Sequence, residues 1–92
     1  MILRLVKRYP SWDMYNAVNA VLDVDHKHPL GLIMHGAAES ESDGMIQLAQ
    51  VWDSAEYARR FDEEHLKPAL EAVGAPLEAE ITIMELRHLV TP

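Results

Sequence analysis

The fold is decided by one stretch of the chain, LGLIMHGAAESESDGMIQLAQVW, at residues 30–52. It contains two apolar runs, Leu30–Ala37 and Met45–Trp52, each of a normal length for a strand and short for a helix. Between them, Glu39–Gly44 is acidic, rich in small residues and closed by glycine, which is typical of an exposed loop. The stretch therefore predicts two antiparallel strands joined by a loop.

The sequence before this stretch predicts a strand and a helix. Met1–Tyr9 mixes apolar and basic residues in a β-prone run that Pro10 closes. Ser11 can cap a helix whose apolar residues recur at helical spacing and which ends near Asp23. Because Val24–Pro29 is polar and carries two histidines, we expect a connection there.

The sequence after this stretch predicts a second helix and a last strand. Helical spacing of apolar residues, with charged residues on the other face, indicates a helix that starts at Ser54. Pro68 lacks a backbone N–H and predicts a kink or restart, and Gly74 ends the helix. Alternating apolar and polar residues over Glu80–Val90 predict the last strand.

The predicted order is β-α-β-β-α-β in a single α+β domain of residues 1–92. This is the ferredoxin-like arrangement, in which two helices cover one face of a four-stranded antiparallel sheet. We expect His35 opposite Gln47 and Met34 opposite Leu48 in the central hairpin. Both faces of these two strands are then mostly apolar, so we expect a second copy of the chain to pack on the open face as a homodimer.

The composition narrows the classes of function. With 15 acidic and 8 basic residues, the chain has a formal charge of -7 and a pI near 5.0. Because this charge disfavours polyanions, we expect no nucleic acid as a partner. The longest run without charged residues is His28–Ala38, about half of the ~20 residues of a membrane span, so we expect no membrane partner. The first nine residues interleave charges with apolar residues and lack a cleavage site, so we expect a cytoplasmic protein.

No metal site is expected from the sequence. The chain has no cysteine, which excludes disulfides and thiolate metal sites. His26 and His28 lie near two aspartates in a predicted loop, but their spacing matches no recognised metal motif. A chain this short often needs disulfides, a metal or a partner subunit for stability. Since the first two are not expected here, we expect a second subunit to supply the stability.

Several motifs resemble those of small antibiotic-biosynthesis-monooxygenase-like proteins of the dimeric α+β barrel superfamily. They are a His-x-Ala strand at His35–Ala37, a Val-Trp-x-Ser junction at Val51–Ser54 and a Leu-x-Pro-Ala-Leu helix end at Leu66–Leu70. The resemblance covers residues 31–74 by motif and the rest by element order. It implies two sheets packed face to face in a dimeric α+β barrel, with a cavity between each sheet and its own helices. The chain departs from the pattern at Gln50, where related sequences often carry an acid.

The resemblance also implies a choice of activities. Some relatives oxidise polycyclic aromatic molecules with dioxygen and without metal or flavin, others bind and degrade haem, and many have no known activity. For the first activity, we expect His35 as the base or hydrogen-bond partner and Trp52 as the donor that orients the substrate. A neutral imidazole can accept a proton from a phenol. The structural alternatives are a His35 that is hydrogen-bonded to Gln47 or a backbone carbonyl, and a Trp52 that anchors the core.

Five further side chains are candidate walls of a cavity for a small hydrophobic or aromatic molecule: Trp12, Tyr15, Met34, Phe61 and His65. Aromatic residues at helical spacing are more often core than ligand site. His65 would be the axial ligand if the protein bound haem, although the helix dipole also favours histidine near a helix end.

The predicted function is therefore that of a small-molecule-binding homodimer, and of a cofactor-independent monooxygenase for an aromatic or polyketide-like substrate. The alternatives are a non-catalytic ligand-binding or structural homodimer and a haem-binding or haem-degrading protein. The monooxygenase needs no cofactor.

Overall fold

A computed structural model describes residues 1–90 and confirms the predicted βαββαβ order. The two last residues of the predicted 1–92 domain lie outside the described part. The strands are β1 (Ile2–Tyr9), β2 (Leu32–Glu39), β3 (Ile46–Trp52) and β4 (Glu80–Glu85). The helices are α1 (Trp12–Leu22), α2 (Ala55–Phe61) and α3 (Lys67–Val73), with a π-helical turn (Asp62–Leu66) that joins α2 to α3. The strands form one antiparallel sheet in the order β2-β3-β1-β4.

Helix α1 begins and ends where the sequence predicts. The hydroxyl of Ser11 accepts a hydrogen bond from the backbone N–H of Met14 at 3.3 Å. Asp23 adopts the left-handed conformation after the last turn, with φ 55°. The helical period turns Tyr15 and Val18 into the core, and Tyr15 thereby reaches strand β2.

The predicted kink near Pro68 is instead a widened turn within one continuous helical stretch. Ser54 caps its start, as predicted, by accepting from the N–H of Tyr57 at 3.4 Å. Over the π-helical turn, the N–H of Lys67 donates to the carbonyl of Asp62. Because Pro68 has no N–H to donate to the preceding turn, the wider turn absorbs the mismatch without breaking the helix.

The predicted register of the central hairpin is wrong by three residues. His35 pairs with Gln50, and Met34 pairs with Val51. Since side chains alternate between the faces of a strand, an odd shift moves every side chain of β2 to the other face relative to β3. His35 therefore lies on the same face as Gln50, which is the face covered by the helices.

The ends of the two strands account for this shift. Strand β2 extends to Glu39, two residues beyond the predicted end at Ala37, and β3 starts at Ile46, one residue after the predicted start at Met45. The N–H of Ser40 donates to the carbonyl of Met45 at 2.8 Å and closes the hairpin.

Strand β2 starts later and strand β4 ends earlier than predicted. Gly31 precedes β2 in a turn with φ 85°, and the N–H of Leu32 donates to the carbonyl of Pro29. Strand β4 ends at Glu85, which pairs with Ile2, the first residue of β1. The predicted continuation to Val90 therefore has no neighbouring strand to pair with in residues 1–90.

The core lies between the helices and one face of the sheet. Its fully buried large side chains are Trp52, Tyr9, Ile46, Leu70 and Val18. On the other face, Ala49 is exposed and Leu3 and Leu5 are half-buried. No helix within residues 1–90 has the length and apolar character needed to cross a membrane.

Candidate functional site

A cavity of about 280 Å³ lies on the helix-covered face of the sheet. Its aromatic walls are Trp52 from β3 and Phe61 from α2, whose ring centroids are 5.5 Å apart. Its volume is at the lower end of the ~300–1,000 Å³ range of small-molecule pockets. The chain therefore has the cavity between sheet and helices that the resemblance implies.

Gln50 organises the polar side of this cavity. Its Oε1 accepts hydrogen bonds from Arg4 Nε and from Trp52 Nε1, both at 3.0 Å. Because both partners can only donate, the amide oxygen must face them, and the amide nitrogen faces Nδ1 of His35 at 3.3 Å. The orientation of this amide determines which ring nitrogen of His35 carries the proton.

His35 is a neutral imidazole with its proton on Nε2. Its Nδ1 accepts from Gln50, so Nε2 carries the hydrogen and donates it to the Tyr15 hydroxyl at 2.8 Å. Burial lowers the pKa of His35 below its ordinary value, and the carboxylate of Asp25 offsets this only in part. The lone pair on Nδ1 is therefore the one position where this ring can accept a proton.

Arg4 connects the cavity to the π-helical turn. Its guanidinium donates two hydrogen bonds to the carboxylate of Asp62, at 2.6 and 3.1 Å. It also lies over the ring of Trp52, with its central carbon 5.6 Å from the ring centroid. The charge of Arg4 is thus compensated by a two-point ion pair.

Arg8 also lines the cavity, but its charge is not compensated in this way. Only 8% of the residue is exposed, and its Nε is buried without a hydrogen-bond partner in the described structure. No carboxylate of residues 1–90 lies within ion-pair distance of it. Burial raises the pKa of the neighbouring Tyr9 hydroxyl, and the Arg8 guanidinium opposes this rise.

Four of the seven predicted site residues line the cavity: His35, Trp52, Met34 and Phe61. Met34 borders it next to the irregular pairing of β2 with β3 between Leu32 and Met34. Tyr15 lies behind His35 as its hydrogen-bond partner. The indole N–H of Trp52 already donates to Gln50, and the residue is fully buried under Arg4 and Phe61.

The two remaining predicted residues lie elsewhere. His65 lines a second groove, of about 610 Å³, which shares Leu22, His28, Pro29 and Phe61 with the cavity. Trp12 packs against Tyr15 with ring centroids 5.7 Å apart and lines neither the cavity nor the groove. The roles expected for all seven residues stay predictions.

Sequence reasoning missed the charged part of the site: Arg4, Arg8 and Asp62. A signal for the two arginines was present, because Arg4, Val6 and Arg8 are every second residue of one strand and so share a face. Asp62 had no such signal, since its position depends on the π-helical turn. Within residues 1–90, no group of three or more histidine or carboxylate side chains is placed to hold a metal ion.

The chain resembles several solved structures in fold. The structure of Rv0793 from Mycobacterium tuberculosis has a TM-score of 0.67 at 17% identity, with 98% of each chain covered. A mutant of SnoaB, a cofactor-independent oxygenase from Streptomyces nogalater, has a TM-score of 0.65 at 17% identity, covering 99% of this chain and 98% of the other. A structure described as an antibiotic biosynthesis monooxygenase has a TM-score of 0.67 at 9% identity, covering 96% and 100%.

The sequence itself matches no protein-family model and no curated protein. The likeness is therefore one of three-dimensional structure. The chain has the fold of solved structures that are described as antibiotic biosynthesis monooxygenases.

Proposed function

We propose that this protein binds a small aromatic or polyketide-like molecule in the cavity and acts on it as a cofactor-independent monooxygenase. The observation that carries the proposal is the cavity itself, where aromatic side chains and a neutral histidine line the same space. The solved structure of similar fold that is described as a cofactor-independent oxygenase supports the type of reaction. The cytoplasmic location expected from the sequence stays a prediction.

In the proposed reaction, His35 accepts a proton from the substrate at Nδ1. The substrate would replace the 3.3 Å contact from Gln50, which is the weakest of the three that Gln50 makes. The resulting imidazolium keeps its Nε2–H bond to Tyr15. Phe61, which packs on Trp52 with ring centroids 5.5 Å apart, offers its ring to one side of the aromatic framework.

The deprotonated substrate supplies the electrons for the reaction with dioxygen. One oxygen atom enters the substrate, converting a CH₂ group to a C=O group, and the other leaves as water. The protein contributes deprotonation and orientation, and it excludes bulk water from the carbanion.

Oxygen uptake with 1,8-dihydroxyanthrone tests this proposal. We expect uptake above the uncatalysed rate for the native chain, a loss of about 100-fold or more in His35→Ala, and a smaller loss in Trp52→Phe. His26→Ala is the matched control, since His26 is an exposed histidine outside the cavity. Equal rates in all four proteins, with circular dichroism showing that each is folded, would reject catalysis.

One observation favours the second candidate function, a binding protein without turnover. Both ring nitrogens of His35 are engaged by Gln50 and Tyr15, so the histidine is satisfied without a substrate. Tight binding of the anthrone without oxygen uptake would establish this alternative. A haem-binding function would instead use His65 in the second groove, and haemin that gives no Soret shift would exclude it.

We propose that the functional unit is a homodimer whose subunits meet through the open face of the sheet. Strand alternation places Leu3, Leu5, Ala49 and Val51 on this face, and Met84 on β4 is 43% exposed there. A second copy would remove this apolar surface from water. We expect a dimer mass by light scattering at micromolar concentration and a monomer for Ala49→Glu. A native monomer would contradict the proposal.

A further inference from the structure

Arg8 is the buried charged residue of the cavity that has no carboxylate partner among the described residues. Arg4 has Asp62 and Gln50 as partners, whereas Arg8 Nε has none. Buried polar groups are nearly always satisfied, and a buried charge without a partner destabilises the fold. The packing of the core therefore does not explain why an arginine is buried at position 8.

The one carboxylate that lines the cavity, that of Asp25, does not supply this partner. Asp25 contributes to the cavity wall from the connection between α1 and β2, but it forms no ion pair with Arg8. His35 is neutral and already engaged on both nitrogens. In a chain of net charge -7, two of the eight basic residues are buried against one cavity, and the second of them is uncompensated.

We propose that Arg8 binds an anionic oxygen of the ligand, so that the cavity selects aromatic molecules carrying a carboxylate or a phenolate. This inference rests on the proposed aromatic-binding function and names the class of molecule. The guanidinium presents planar donors that match a carboxylate in two-point geometry, and it equally stabilises a single phenolate oxygen. Occupation by the anion removes the cost of the unpaired buried charge.

Arg8 and His35 then act on the same ligand in different ways. His35 accepts a proton at Nδ1, while Arg8 stabilises negative charge on an oxygen of the aromatic framework. Both lie on the helix-covered face of the sheet and line one cavity. For a phenol, the arginine would favour the ionised form and so prepare the ring for electron donation.

Calorimetric titration with three probes tests the inference: 2-naphthoate, its neutral analogue 2-naphthamide, and 2-naphthol. We expect 2-naphthoate to bind at least about tenfold more tightly than 2-naphthamide, because charge-assisted hydrogen bonds contribute that much to affinity. If the preferred oxygen is a phenolate, bound 2-naphthol shows phenolate absorbance at neutral pH. Either preference supports the proposal and identifies the source of the anionic oxygen.

The variant Arg8→Met separates a ligand-binding role from a structural one. We expect the preference for the anion to disappear while the unfolding temperature rises by about 4–8 °C, because an unpaired buried charge is replaced by an apolar side chain. Arg8→Lys should retain part of the preference. Arg59→Met, which removes the same charge from an exposed helix position, should leave binding unchanged.

Several outcomes would overturn the inference. A preference for the anion that survives Arg8→Met would assign the charge recognition to another residue. Equal affinity for all three probes would leave the aromatic-binding function standing and reject the role of Arg8. Absence of binding by every probe would reject the proposed function and this inference with it.

Discussion

Replacing Gln50 by leucine tests whether the polar side of the cavity depends on this single amide. Gln50 is 6% exposed and makes three side-chain hydrogen bonds, to Arg4 and Trp52 at 3.0 Å and to His35 at 3.3 Å. Leucine has a similar volume but no polar atoms. The variant Gln50→Leu therefore leaves three polar groups without this partner and creates no large cavity.

The magnitude follows from the partners that lose their bond. Each buried polar group left unsatisfied costs about 1–3 kcal/mol, and the longer bond to His35 belongs at the lower end. Arg4 keeps its ion pair with Asp62, which limits the loss at the guanidinium. We expect Gln50→Leu to lower the free energy of unfolding by about 3–5 kcal/mol, a large fraction of the ~5–15 kcal/mol that stabilises a typical domain.

Urea denaturation followed by circular dichroism measures this loss, and Gln47 provides the matched control. Gln47 is three residues earlier on the same strand, is half-buried on the other face, and its amide contacts only the carbonyl of Leu48 at 3.3 Å. We expect Gln47→Leu to change the free energy of unfolding by less than about 1 kcal/mol. Equal losses for the two variants would refute the reasoning that Gln50 organises the site.

Two further predictions concern stability. Desolvation lowers the pKa of His35 in the folded chain below its unfolded value of 6.5. As the pH decreases below about 6.5, the imidazole therefore takes up a proton more readily in the unfolded chain, and the free energy of unfolding falls. Urea titrations across this range should show a smaller slope in His35→Asn, and an unchanged slope would contradict a lowered pKa of His35 in the folded chain. At Gly31, a Cβ would overlap the ring of Tyr57, whereas Gly44, also at positive φ, has nothing within 4 Å. Gly31→Ala should therefore cost about 1–3 kcal/mol more than Gly44→Ala in thermal unfolding, and equal costs would show that Tyr57 yields freely.

Local signals in the sequence predict most of the architecture. Ser11 and Ser54 are helix caps in the structure because a hydroxyl before an apolar-periodic segment satisfies the first free N–H groups. The four strands also lie close to their predicted positions. These features depend on neighbours within a few residues, which is why one sequence suffices to identify them.

The register of the hairpin and the composition of the site depend on longer-range contacts. The position of the turn decides whether His35 faces the helices or the open face, and the acidic loop gives no local sign that β2 continues to Glu39 or that β3 starts only at Ile46. The pairing of Arg4 with Asp62 joins residues 58 positions apart in sequence through a π-helical turn. Arg8 could have been placed beside Arg4 from strand alternation, but its lack of a partner is visible only in three dimensions.

A crystal structure of the protein with 2-naphthoate tests the central claim most directly, because the chain offers two concave sites. The proposed binding mode predicts the naphthalene ring in the cavity against Phe61, with the carboxylate within hydrogen-bond distance of Arg8. A ligand bound beside His65 in the second groove, with the cavity left empty, would contradict it.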